Sequence, residues 1–208
     1  MSALLSLSLG FFVLARGWSK RDHVLYFLTT IAFVFFCVTH VLGANAQDPQ
    51  LSRAFYILTN IILFLVCFNA HFGFSTFKIL KKHRFGLGVM YGVATLLTLA
   101  LAMWPDLFVL DSRPEQYLPN FLNPGPFYWI FAVFFLISCA YFFVVLANNY
   151  NSFNAVDRNR LNYFFLSFGF AYVIGSLQFL PVFGIHFSLL PTALVGLYNI
   201  PLAYGLLK

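Results

Sequence analysis

RGWSKRDHVLYFLTTIAFVFFCVTHVLGANAQD, residues 16–48, sets three cations, Arg16, Lys20 and Arg21, ahead of a run from His23 to Gly43 that holds no Asp, Glu, Lys or Arg. A helix rises about 1.5 Å per residue and the bilayer's hydrocarbon core is about 30 Å thick, so roughly 20 apolar residues span it. Residues 23–43 meet that length. Working outward, six further runs follow the same pattern: 3–15, 52–77, 85–104, 126–147, 161–180 and 185–207. The first is short, and only Met1 and Ser2 precede it. Its cations follow it and no small-residue cleavage site is evident, so it reads as a first helix and not a signal peptide.

The gaps between runs carry the orientation. Of 12 Lys and Arg, Arg16, Lys20, Arg21, Lys78, Lys81, Lys82, Arg84, Arg158, Arg160 and Lys208 fall in every second gap, against Arg53 and Arg113 in the others. Positive-inside bias then predicts an N-terminus outside and a C-terminus in the cytoplasm. The net charge of +6 is explained by this asymmetry. It calls for no nucleic acid; the partner it implies is the lipid bilayer, whose anionic headgroups meet a basic rim. Trp18 at the inner boundary, and Trp104, Tyr128 and Trp129 at the outer one, fit the headgroup preference of amphipathic rings.

With charged residues at 9% and hydrophobic ones at 61%, no segment outside the runs is long enough for a soluble domain. The expectation is therefore an all-α fold: one integral membrane domain over 1–208, a bundle of seven transmembrane helices. Cys37, Cys67 and Cys139 lie inside apolar runs, as small hydrophobes and not as a disulfide framework or metal cluster. No internal repeat is visible. Residues 104–125 hold Pro105, Pro114, Pro119 and Pro124, too many for a helix, yet also Phe108, Tyr117, Leu118, Phe121 and Leu122, which disfavour full exposure. Such a loop either packs over the outer mouth of the bundle or is a partly embedded connector. Residues 148–160, NNYNSFNAVDRNR, read as a solvated turn.

No Asp, Glu, Lys or Arg lies deep in any run, which speaks against an ion pump, a proton-coupled transporter or a voltage sensor. The last run has no central lysine, which excludes a retinal Schiff base. In the third run Arg53, Tyr56, Asn60, Phe64, Cys67 and His71 share a narrow arc that should face the bundle interior. Asn60 and His71 there either hydrogen-bond neighbouring helices or form a ligand-facing wall. Ser167, Ala171, Ile174 and Gln178 make a similar stripe on the sixth run, with Gln178 level with His40 and Asn60. Depth separates His40 from His71 as haem ligands. Two haems would need the pairs His40 with His186 and His71 with His23. Gly88 and Gly92, and Ser167, Ala171 and Gly175, have the small-xxx-small spacing of packed helices. Pro201, flanked by Asn199 and Tyr204, removes a backbone donor and predicts a kink in the last helix.

The final third, DRNRLNYFFLSFGFAYVIGSLQFLPVFGIHFSLLPTALVGLYNIPLAYGLLK, resembles the N-terminal seven-helix sensory region of bacterial histidine kinases and related signalling proteins. Arg158 and Arg160, the Phe179-Leu180-Pro181 and Gly184-Ile185 run, Pro191, and Tyr198 to Lys208 with Ala203-Tyr204 carry the likeness, over about a quarter of the chain. The resemblance implies a bacterial inner membrane location and a cytoplasmic PAS, kinase or cyclase module after Lys208. It implies no site residues. None of those modules is in this sequence, so the chain is either the membrane part of a longer polypeptide or a protein that signals through a partner.

The first functional expectation is a non-enzymatic sensory or receptor domain. A small apolar or weakly polar ligand would be lined by His40, Asn60 and Gln178, with Pro201 and Asn199 as the hinge through which the last helix moves. The alternative is an accessory subunit of a respiratory or photosynthetic membrane complex, packed against lipid, other membrane subunits, quinone, haem or pigment. A third is a facilitator for an uncharged solute. No metal and no cofactor is predicted under the first reading; haem or quinone belongs to the second.

Overall fold

The computed structural model describes residues 2–17, 20–115, 118–187 and 190–207. Met1, Trp18, Tyr117 and Lys208, each of which figures in the sequence reading, lie outside them. The chain is mostly helical: α1 (Ser2–Ala15), α2 (Arg21–Asn45), α3 (Pro49–Thr59), α4 (Ile62–Thr76), α5 (Leu80–Met103), α6 (Trp129–Asn148), α7 (Ala155–Ser176), α8 (Phe179–Val182) and α9 (Asn199–Leu207). A 3-10 segment, Leu190–Tyr198, leads directly into α9. Among the described residues five helical stretches are long and apolar enough to cross a membrane: Arg21–Asn45, Pro49–Thr76, Leu80–Met103, Trp129–Ser152 and Ala155–Val182. α1 and Leu194–Leu207 are shorter apolar helices.

The helices close into a ring. α1 packs on α2, α2 on α3 and α4, α4 on α6, α6 on α7, and α9 with its 3-10 lead packs between α7 and α1. α5 stands outside the ring against α4. The polar side chains inside largely satisfy themselves, as an apolar surround demands. Thr29, Thr30 and Thr39 each donate to the carbonyl four residues earlier at 2.9 Å. Asn199 is the long-range tie: its Nδ2 donates to Ser6 Oγ of α1 at 2.7 Å, and it accepts from Tyr26 of α2 at 3.4 Å.

Four sequence expectations change. The fold is not purely helical, because the proline-rich 104–125 stretch holds an antiparallel hairpin, β1 (Val109–Glu115) and β2 (Leu118–Pro124), with register shifts around Arg113. Both strands of a two-stranded sheet are edges, where proline does not break a ladder, so Pro114, Pro119 and Pro124 are tolerated. The third run is two helices, because Asn60 Nδ2 turns back to the carbonyls of Tyr56 (2.9 Å) and Ile57 (3.4 Å) and the backbone tightens there to i→i−3 bonds. The last run starts as 3-10 and not α, and Pro201 falls just past the junction of the two. Gly88 and Gly92 face open space, so they pack no helix of this chain.

Candidate ligand tract

His40, Asn60 and Gln178 come from three places in the ring and line one cavity of about 50 Å³, room for a few water molecules. His40 lies near the hairpin end of α2, with its ring stacked on Phe36 at 5.9 Å and met edge-on by Tyr56 and Phe121. Asn60 ends α3, as described above, and spends its amide N–H groups on its own helix. Gln178 sits in the turn between α7 and α8. Neither the His40 imidazole nor the Gln178 amide makes a hydrogen bond among the described residues.

A second cavity of about 40 Å³ continues toward the middle of the bundle and shares Phe36, Ile62, Phe135, Gly175 and Gln178 with the first. Asn69, Tyr172 and Tyr198 line it. Asn69 Nδ2 donates to the Tyr172 hydroxyl at 3.1 Å, while Asn69 Oδ1 and the Tyr198 hydroxyl are buried without a hydrogen bond among the described residues. Buried polar atoms of this kind are costly unless water or a ligand meets them. Sideways, a cleft of about 470 Å³ opens along α2 past Phe36, Cys37, His40, Val41 and Gln178. The three spaces form one tract: an apolar lateral cleft leading to a few hydrogen-bonding groups. No Asp, Glu, Lys or Arg lines any part of it.

The hairpin roofs the tract. Phe121 and Leu122 point into the first cavity and are buried. Asn120 fastens the roof: Nδ2 donates to Ala46 O at 2.6 Å, Oδ1 accepts from Ser112 at 2.8 Å, and its carbonyl accepts from Tyr56 at 3.1 Å. Arg53 of α3 donates to Val109 O at 3.0 Å and pairs with Asp106 and Asp111. Arg113 of β1 donates to the carbonyls of Pro181 (3.1 Å) and Val182 (3.2 Å), tying the roof to α8. Tyr128, expected as an interface anchor, is instead buried against Phe131 and Phe183 and lines the cavity.

The histidines do not fit bis-histidine haem. His71 Nε2 lies 3.0 Å from an Arg21 nitrogen and Nδ1 lies 3.4 Å from the Tyr91 hydroxyl. Arginine can only donate, so Nε2 is the acceptor and both ring nitrogens are engaged. His186 is exposed beside Glu115 at 3.9 Å. His40 faces both the small cavity and the lateral cleft, and no other histidine lines either space. Among the described residues no group of three or more His, Cys, Asp or Glu is placed to hold a metal ion.

Sequence reasoning missed Asn69, Tyr172 and Tyr198, and it anticipated a loop over the outer mouth without its hairpin form. Asn69 sits in an apolar run as a polar residue, a signal equal to that of Asn60, but at nine residues' distance, about 2.5 turns, it falls opposite the arc drawn for one continuous helix, and the structure breaks that helix between α3 and α4. No family model, curated protein or solved structure matches the chain, and nothing identifies a histidine-kinase sensory region. Fold and site together define a class: a helical integral membrane protein with a mostly apolar tract, open at a lateral cleft, that holds a few polar groups and no Asp, Glu, Lys or Arg.

Proposed function

We propose that the chain is a receptor-type membrane domain that binds a small neutral amphiphile, taken up from the lipid. The apolar body of the ligand lies in the lateral cleft and its uncharged, hydrogen-bonding head lies between His40 and Gln178. The observation that carries this reading is the convergence of unpaired polar groups, His40, Gln178, Asn69 Oδ1 and the Tyr198 hydroxyl, on cavities without formal charge. A charged head would be desolvated there without a counter-charge. The run of the tract into the last element supports the same reading. Tyr198 lines the tract, and its neighbour Asn199 ties that element to α1 and α2. A ligand that prefers one placement of Tyr198 would bias that tie, which is what a switch requires.

In this proposal the hairpin end lies outside, the basic end faces the cytoplasm of a bacterial cell, and all seven apolar segments cross. The test uses 1-dodecanol, a neutral chain with one donor-acceptor head, titrated into purified protein and followed by thermal unfolding. Binding should weaken about tenfold in a His40→Leu/Gln178→Leu double variant, the scale of one or two lost hydrogen bonds. Equal affinity in both proteins would refute the assignment.

A further inference from the structure

α5 leaves an apolar groove between itself and α6, outside the ring and separate from the ligand tract. The groove measures about 550 Å³ and is walled by Phe85, Val89 and Val93 of α5 and by Val133 and Ile137 of α6, with Phe134 in its floor. At its basic end the two helices meet where Tyr141 lies over Gly86, a place where any Cβ would collide with the phenol. The Tyr141 hydroxyl makes no hydrogen bond among the described residues. From Phe85 to Leu97 the groove runs about 18 Å along the helix, close to the half-thickness of about 15 Å that one leaflet contributes.

Directly below this closed end the chain is strongly basic. Lys78, Lys81, Lys82 and Arg84 are exposed, and none is in an ion pair among the described residues. Lys81 precedes Phe85 by four residues, and Lys82 precedes Gly86 by four, so both lie on the stripe of α5 that forms the groove. Their long stems reach the headgroup level while the groove holds apolar matter beneath. Basic pockets at the ends of grooves between membrane helices suit anionic headgroups.

From this charge complementarity we infer that the α5–α6 groove is a specific site for an anionic phospholipid, with one acyl chain along Val89 and Val93 and the phosphate held by Lys81, Lys82 and the Tyr141 hydroxyl. The site is built from the chain's least covered helix. A lipid there would complete the packing of α5 against α6.

Native mass spectrometry of the purified protein with phosphatidylglycerol or phosphatidylcholine of identical acyl chains tests this. Phosphatidylglycerol should be retained on the order of tenfold better. That preference should vanish in Lys81→Gln/Lys82→Gln and persist in Arg158→Gln/Arg160→Gln, whose charges share the same end but not the groove. Val93→Trp, which fills the groove at an exposed position, should lose the bound lipid while keeping the basic cluster. Equal retention of the two lipids by the unaltered protein, an equal loss in the Arg158/Arg160 variant, or an unchanged lipid on Val93→Trp would each overturn the inference. So would finding the groove occupied by a second copy of the chain, seen as a dimer that Val93→Trp disperses.

Discussion

Two neighbouring residues in the last element were expected to act together as a hinge, and the structure gives them opposite characters. Asn199 is almost fully buried and shares hydrogen bonds with Ser6 and Tyr26, so it fastens three helices at one point. Pro201 sits just past the junction of the 3-10 segment and α9, where its fixed φ suits the helix. Replacing Asn199 with Leu strands the Ser6 hydroxyl in an apolar interior and leaves Tyr26 only the residue-199 backbone carbonyl at 3.4 Å, at a cost of about 1–3 kcal/mol. Replacing Pro201 with Ala removes only a rigid ring and should change stability by about 1 kcal/mol or less. Thermal unfolding of the two variants in one detergent should therefore give a clear loss for Asn199→Leu and little change for Pro201→Ala. The reverse order would mean that the proline, not the asparagine tie, holds the last element in place.

At the level of elements, the hairpin shows how a segment of seven-residue strands is held on a helical bundle. Three stitches do it: Arg53 to β1 and its flanking aspartates, Asn120 to the α2–α3 loop and Tyr56, and Arg113 to the end of α8. A lone hairpin is marginal in water, so these contacts and the burial of Phe121 stabilise it. Arg113→Ala combined with Asn120→Ala removes four side-chain hydrogen bonds and should leave the helices intact while speeding amide exchange across Leu118–Pro124 by about tenfold or more. Unchanged exchange there would show that the Arg53 stitch, the Tyr56 bond to the residue-120 carbonyl and the burial of Phe121 carry the roof without them. The hairpin was also the part hardest to read in the sequence. Long apolar runs bounded by cations announce helices through composition alone, and five of the stretches are legible for that reason. Pro114, Pro119 and Pro124 mask a strand signal, because the fact that rescues them, that both strands are edges, belongs to the folded sheet. The site divides the same way. Asn60 and Gln178 stand out as polar residues in apolar runs and His40 as a histidine, whereas Tyr198 and Tyr128 look like ordinary membrane aromatics until the ring closes around them.

For the whole molecule, charge and length bear jointly on orientation. The hairpin end carries Asp48, Asp106, Asp111 and Glu115 against Arg53 and Arg113, and the two arginines are spent on holding the roof. The opposite end carries Arg16, Lys20, Arg21, Lys78, Lys81, Lys82, Arg84, Arg158 and Arg160 against Asp22 and Asp157. Length then separates the first segment from the last. α1 has 14 residues and reaches only about 21 Å, short of a full core, and a bilayer accommodates such a helix by local thinning. The last element gains reach from its conformation: nine residues of 3-10 helix rising about 2.0 Å each and nine of α-helix give about 31 Å, enough to cross. The 3-10 turn thus gives an 18-residue segment the span that a longer α-helix would need. In a background with Cys37, Cys67 and Cys139 changed to Ala, Gln47→Cys and Ser152→Cys place single exposed thiols at the hairpin end and the basic end. Under the proposed orientation an impermeant maleimide added to intact cells should label Gln47→Cys within minutes and Ser152→Cys only after permeabilisation, because positive-inside bias predicts the nine cations in the cytoplasm. Labelling of Ser152→Cys in sealed cells would invert the molecule, put the hairpin roof inside, and move the mouth of the lateral cleft to the other leaflet.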